Sequence, residues 1–313
     1  MGDQVGVLLM AHGTPGRAED VAPFYTRIRR GRPPTDEQLA DLERRYDAIG
    51  GLSPLAERTR AQVDGVRHLL AARRPDHFVV AFGAKHTEPF IEDGATSLVE
   101  AGVRKVIGLV LTPHGSTLGS GEYLDRAEAA LAGRCPFRAV THFYDQPGFV
   151  ALMAGRVSAA LGALGGDLDP ARTVVVFTAH SLPERVRALG DTYPEQLEES
   201  ARLAAAAADL GRWQVAWQSA GRTPEPWLGP DVRDVVRQLG GGGDCDAVVV
   251  CPIGFVADHL EVLYDLDVEV AAVADASGLR FARTASLNDD PRFLGVLADV
   301  VTAADERDPT DGS

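Results

Sequence analysis

The chain has 313 residues, 31 Lys and Arg against 45 Asp and Glu, a formal charge of −14, and 45% apolar positions. That length exceeds what one core usually supports and points to two domains of about 150 residues each, with the composition of a globular protein rather than a disordered or collagenous one. The acidic balance argues against nucleic acid as a partner, because such binding needs clustered Lys and Arg to displace counterions.

Short apolar runs bounded by Gly or Pro alternate along the chain with amphipathic stretches, which is the pattern of repeated β-α units and a parallel sheet. Strands are predicted over 5–11, 78–83, 105–111, 137–142, 173–178, 213–217, 247–251 and 280–282. Helices are predicted over 36–49, 56–72, 88–101, 122–131, 147–161, 193–208, 230–239, 258–269 and 291–304, the last one free to pack back on the first domain. From about Asp305 the residues are polar and are expected to fray. The longest apolar runs, such as Val106 to Leu111, fall far below the ~20 residues of a bilayer span, so no membrane span is expected. The N-terminus lacks the basic start and cleavage site of a signal peptide. Three scattered cysteines without a CxxC fit a reducing compartment, so the expected location is cytoplasmic.

An internal echo divides the chain. Ala11-His12-Gly13-Thr14-Pro15 follows the first predicted strand, and Ala179-His180-Ser181-Leu182-Pro183 follows the fifth. A weaker pair is Leu111-Thr112-Pro113-His114-Gly115 beside Val250-Cys251-Pro252-Ile253-Gly254. The expectation is an α/β chain of two similar doubly wound, Rossmann-like domains with parallel sheets, residues 1–164 and 165–313. Ligands of such sheets bind outside the carboxyl ends of the strands, so both histidines should open onto one cleft.

His180 leaves a buried strand, where an imidazole can take a proton near neutral pH or bind a divalent metal. Taken alone it fits a hydrogen-bonded structural histidine better. Glu261, Asp265 and Glu269 are four residues apart and fall along one drifting helical face. Their mutual repulsion costs a few tenths of a kcal/mol per pair, which a cation would reverse; taken alone a solvated acidic face explains them better, but Glu261 near the start of a helix after a buried strand would face the cleft. Arg27, Arg29, Arg30, Arg45, Lys85 and His86 put positive charge into the first half, suited either to the carboxylates of an anionic ligand or to surface ion pairs. The stretch from Trp217 to Pro230 is a long polar loop of the kind that shapes a site. Neither GxGxxG nor GxxxxGK[ST] occurs, so nucleotide binding has no support.

Seven segments carry a resemblance that runs in order along most of the chain: IRRGRPP (28–34), YDAIGGLSPLAERT (46–59), KHTEPFIED (85–93), AHSLPERV (179–186), DTYPEQLEES (191–200), WQSAGRTPEPWLGPDV (217–232) and GFVADHLEVLYDLDVE (254–269). Together they resemble the ferrochelatases, most closely the coproporphyrin III ferrochelatases of Gram-positive bacteria, and so imply a fold like that of the class II chelatases. The resemblance implies insertion of Fe(II), as substrate, into coproporphyrin III, giving coproheme for haem biosynthesis. It implies no organic cofactor and no ATP, and it allows a regulatory or second-site divalent cation such as Mg2+. Brief contacts with the upstream and downstream haem-pathway enzymes would follow. Alternatives are protoporphyrin IX as substrate, Co(II) or Ni(II) insertion into another tetrapyrrole, and a porphyrin or haem carrier without turnover. By the same resemblance His180 and Glu261 match the essential pair, and Asp265 and Glu269 an acidic trail for metal. Arg29, Arg30, Arg45, Ser53, Lys85 and Tyr123 match positions around the porphyrin and its propionates. His12 stands where the coproporphyrin enzymes usually place a Tyr; the shorter cobalt chelatases also carry a His there, so His12 is expected beside porphyrin and metal.

Overall fold

The computed structural model describes residues 3–165 and 167–307. Two four-stranded parallel sheets organise it. The first holds β1 (Val5–Ala11), β2 (Phe78–Ala84), β3 (Lys105–Val110) and β4 (Phe137–Val140), in the order β2-β1-β3-β4. The second repeats that order as β6-β5-β7-β8, from β5 (Thr173–His180), β6 (Trp213–Gln218), β7 (Ala247–Cys251) and β8 (Arg280–Arg283). β1 is buried along its whole length and β5 at every residue before His180, as strands must be when both edges are paired and both faces are covered by helices.

The halves interlock through their last helices. Pro147–Leu164 leaves the first sheet and packs on helix Tyr193–Ala207, β7 and β8. Pro291–Glu306 returns to pack on helix Leu55–Arg73, β3 and β4. Pro147–Leu164 is long and apolar enough to cross a bilayer by length and composition, with a mean hydropathy of 1.4. That apolarity has a use in the core: Phe149, Leu152, Met153 and Val157 are buried there. Its Arg156 pairs with Asp290 at 2.9 Å.

Several expectations are corrected. The helix predicted over 258–269 starts at Leu260, turns π-helical over Asp265–Val270 and ends as an α-helix at Ala276. The short helices Val21–Ile28 and Arg185–Ala188 were not expected, since two turns or fewer leave no readable period. The expected fraying at Asp305 does not occur: the helix runs to Glu306 and Asp305 is buried. The Asp305 carboxylate collects Arg74 at 2.7 Å, His77 at 2.7 Å, Arg104 at 3.2 Å and Lys105 at 2.8 Å, which ties the last turn to the amino ends of β2 and β3. Residues 308–313 of that tail lie outside the described residues.

Candidate active site

β1 lies between β2 and β3, and β5 between β6 and β7, so the chain reverses its direction of winding at the carboxyl ends of β1 and β5. Such switch points are where open α/β sheets bind ligands. His12 is the first residue beyond β1 and His180 the last of β5. Each turns its Nδ1 onto the carbonyl of the next residue, His12 on Gly13 at 3.0 Å and His180 on Ser181. A carbonyl only accepts, so Nδ1 carries the proton of the neutral ring and Nε2 is left with its lone pair. The repeated Ala-His motif thus repeats one ring orientation, with Nδ1–H held by the carbonyl of the next residue.

Glu261 arrives from the loop after β7. That loop approaches β5 closely because Gly254 has no side chain: a Cβ there would lie 2.4 Å from the Ala179 Cβ. The Gly254 N–H donates to the Thr178 carbonyl at 3.0 Å. Gln218, at the end of β6, accepts the Thr178 hydroxyl at 2.8 Å and donates to the Glu261 carbonyl at 3.3 Å. The Glu261 carboxylate then stands with Oε1 3.5 Å from His180 Nε2 and Oε2 3.6 Å from His259 Nε2.

Burial opposes a charge on His180, but the facing Glu261 carboxylate outweighs it and raises the imidazole to about 9. Burial likewise opposes the Glu261 charge, yet His180 and His259 hold the carboxyl well below its usual range. At neutral pH the pair therefore rests as imidazolium and carboxylate. His12 and His86 behave oppositely: their rings lie 4.6 Å apart beside Phe24, and burial lowers both, His86 to about 3. One charged and two neutral imidazoles thus coexist in the cleft.

Two further carboxylates follow Glu261 along the same run of helix, Asp265 and Glu269. Burial and the Glu261 charge raise Asp265 to about 6, against a 2.5 Å hydrogen bond from the Ser219 hydroxyl. Glu269 is engaged by Arg233 at 3.1 Å. The π-helical stretch bears on this row. Its wider turn runs opposite to the drift that a four-residue repeat suffers in an α-helix. Among the described residues no group of three or more His, Cys, Asp or Glu is gathered closely enough to hold a metal ion.

The basic positions divide. Lys85 pairs with Glu122 and lies 5.0 Å over the Tyr123 ring, and Arg30 reaches Glu122 at 3.6 Å. Arg29 lies along Tyr25 at 5.6 Å. Arg45 pairs with Asp41 on its own helix at 3.3 Å and lies 3.9 Å from Asp265, over the Tyr264 ring at 5.0 Å. Ser53 is buried, and its hydroxyl accepts the Leu55 N–H at 3.3 Å, where it helps start a helix. Sequence reasoning did not single out His259, Gln218, Ser219 or Tyr46. His259 was findable: it lies two residues before Glu261 with an extended backbone. Tyr46, whose hydroxyl meets Thr14, feels the Glu261 charge from another half of the chain, and no local spacing announces that.

Solved structures share this architecture. SirB from Bacillus subtilis with Fe3+ superposes at a TM-score of 0.63 and 10% identity, over 96% of this chain and 95% of that one. CbiX, described as the terminal enzyme of siroheme biosynthesis in denitrifying bacteria, gives 0.55 at 16% identity over 96% and 99%. At such identities the likeness defines the fold, which is that of the two-sheet α/β chelatases. The sequence goes further. The ferrochelatase family model matches residues 4–305. Coproporphyrin III ferrochelatases of Geobacillus kaustophilus and Bacillus subtilis are 44% and 43% identical, over 95% of this chain and 94% and 97% of their own. The chain belongs to the ferrochelatase family.

Proposed function

We propose that this protein inserts Fe(II) into coproporphyrin III without an organic cofactor, releasing the two pyrrole protons through the His180–Glu261 pair. The observation that carries the reading is the coupled pair itself, 3.5 Å apart at the switch point of the second sheet, with Glu261 bridging on to His259. A planar macrocycle resists metallation because its lone pairs converge in the ring plane, so the site must spend binding energy on bending it. Lys85, Arg29 and Arg30 are the cations available to the four propionates, at the first sheet's side of the cleft. A dication entering the cleft repels the imidazolium proton and frees Nε2 of His180, which then accepts a pyrrole proton. Glu261 and His259 provide the way on to solvent.

His12 presents a second, neutral Nε2 from the opposite sheet and is our candidate contact for metal or product iron. Asp265 and Glu269 are the carboxylates from which a second divalent cation such as Mg2+ would draw ligands, after displacing Ser219 and Arg233. We take the two domains as 1–164 and 165–313, exchanging their last helices. The three free cysteines fit work in the cytoplasm, where the neighbouring haem-pathway enzymes would supply the porphyrin and take the coproheme.

The test is to mix the protein anaerobically with coproporphyrin III and Fe(II) and follow the free-base Soret and Q bands. Loss of those bands with turnover is the expected result. Porphyrin binding without metallation would make the protein a carrier and end the proposal.

A further inference from the structure

The loop after β3 belongs to the first sheet, yet it is fastened to the second half of the chain beside His180. Asp191 accepts the Ser116 hydroxyl at 3.0 Å and the Thr117 N–H at 2.6 Å on one oxygen, and the Tyr193 N–H at 3.0 Å on the other. The Gly115 N–H donates to the Gln196 side chain at 2.8 Å. Tyr193 in turn donates its hydroxyl to the His180 carbonyl at 3.0 Å. That hydroxyl stays protonated, since burial and the Asp191 charge both raise it.

His114 completes the contact. It is 1% exposed, stacks on Tyr144 at 5.6 Å, and stands nearly perpendicular to the Tyr193 ring at 6.1 Å. Neither of its ring nitrogens has a hydrogen-bond partner. Burial drives its pKa down to about 3, so it is a neutral ring packed between Tyr144 and Tyr193. The Tyr193 ring stands edge to face with it, an aromatic packing contact between the two halves. Tyr193 thus packs its ring on His114 of the first half, shares Asp191 through its N–H with the loop after β3, and holds the His180 carbonyl with its hydroxyl.

We propose that His114, Asp191 and Tyr193 form a strut between the two halves, positioning residues through which the loop after β3 fixes the orientation of the His180 imidazole. The strut acts on the chain on both sides of the 180–181 peptide: the Tyr193 hydroxyl holds the His180 carbonyl, and the adjoining Ser181 carbonyl holds the His180 Nδ1–H. Any change that closes or opens the cleft between the sheets therefore reaches the imidazole directly. The inference deepens the chelatase reading and rests on it for its kinetic consequence, though not for its structural one.

Tyr193→Phe keeps the ring and the Asp191 contact and removes only the hydroxyl; His114→Phe keeps the shape and removes the ring nitrogens. In full-length protein labelled with 15N-histidine, the His180 Nδ1–H proton resonance is expected to shift and to exchange faster in both variants, without any substrate present. With coproporphyrin III and Fe(II), kcat should fall about tenfold or more while porphyrin Kd and thermal midpoint stay near wild type, because small misplacement of a reacting group is costly to rate. An unchanged resonance and unchanged kcat in Tyr193→Phe would overturn the strut, as would a kcat loss that simply follows a lower thermal midpoint. Should His114→Phe not fold, Tyr193→Phe decides alone. If the wild type fails to metallate yet the resonance still responds, the chelatase reading falls and the strut stands.

Discussion

His180 and Glu261 sit a third or more open to solvent at their side chains, 36% and 40%, and still alter each other's acidity strongly because they face one another at 3.5 Å. Removing the carboxylate removes the largest of the forces that oppose burial at the imidazole and leaves only the Ser181 carbonyl and the Asp265 charge. Glu261→Gln should therefore bring the His180 midpoint down from about 9 to the ordinary histidine value of about 6.5 or below, read by 15N titration of the labelled protein. A midpoint still near 9 would mean that Glu261 is not its cause. The sign carries over to stability. A raised histidine stabilises the fold fully below its unfolded value of about 6.5 and loses that contribution as pH rises through about 9, so the wild type weakens across this window and the Gln variant does not.

At the scale of elements, the approach of the loop after β7 to β5 depends on one missing side chain. Gly254→Ala would place its Cβ 2.4 Å from the Ala179 Cβ and 2.8 Å from its Cα, against a buried strand that has no room to yield. The expected loss is about 1–3 kcal/mol in thermal or denaturant unfolding, with metallation lost too, because the same loop carries Glu261. Gly155, in helix Pro147–Leu164, is the contrast: nothing lies within 4 Å of a Cβ there, and Gly155→Ala should gain roughly 0.5–1 kcal/mol. The strands and long helices were legible in sequence because their burial is periodic or continuous, β1 and β5 above all. His180 and His12 were legible as strand-end residues with matching neighbours. The π-helical turn at Asp265 was not, since i,i+4 carboxylates read the same in either helix. The approach of Arg45 to Asp265 was also hidden, because the two meet only after two halves of the chain have docked.

Across the whole molecule, the carboxylate of Asp305 shows how the ends are joined. Burial pushes its pKa up, but hydrogen bonds from Lys105, His77 and Arg74 prevail and pull it to about 2. Its contribution is complete above the unfolded value of about 3.9 and disappears as pH falls through about 2, so acid should first loosen the last helix from the first sheet. Asp305→Asn is expected to lose about 1–3 kcal/mol at pH 7, measured by urea unfolding, and to flatten the acid dependence of stability below pH 4. No change in either would show that the four basic side chains are held elsewhere. The helices packed across the two halves join them, and His12 of the first feels the Glu261 charge of the second.

The central claim is that His180 and Glu261 act as one unit in metal insertion. Anaerobic stopped-flow metallation of coproporphyrin III by Fe(II) in wild type, His180→Ala, Glu261→Gln and the double variant tests it directly. Residues that work as a unit lose nearly everything with the first substitution, so the double variant should be no slower than the slower single one. Rate losses that multiply in the double variant, or a His180→Ala protein that metallates at the wild-type rate, would contradict it.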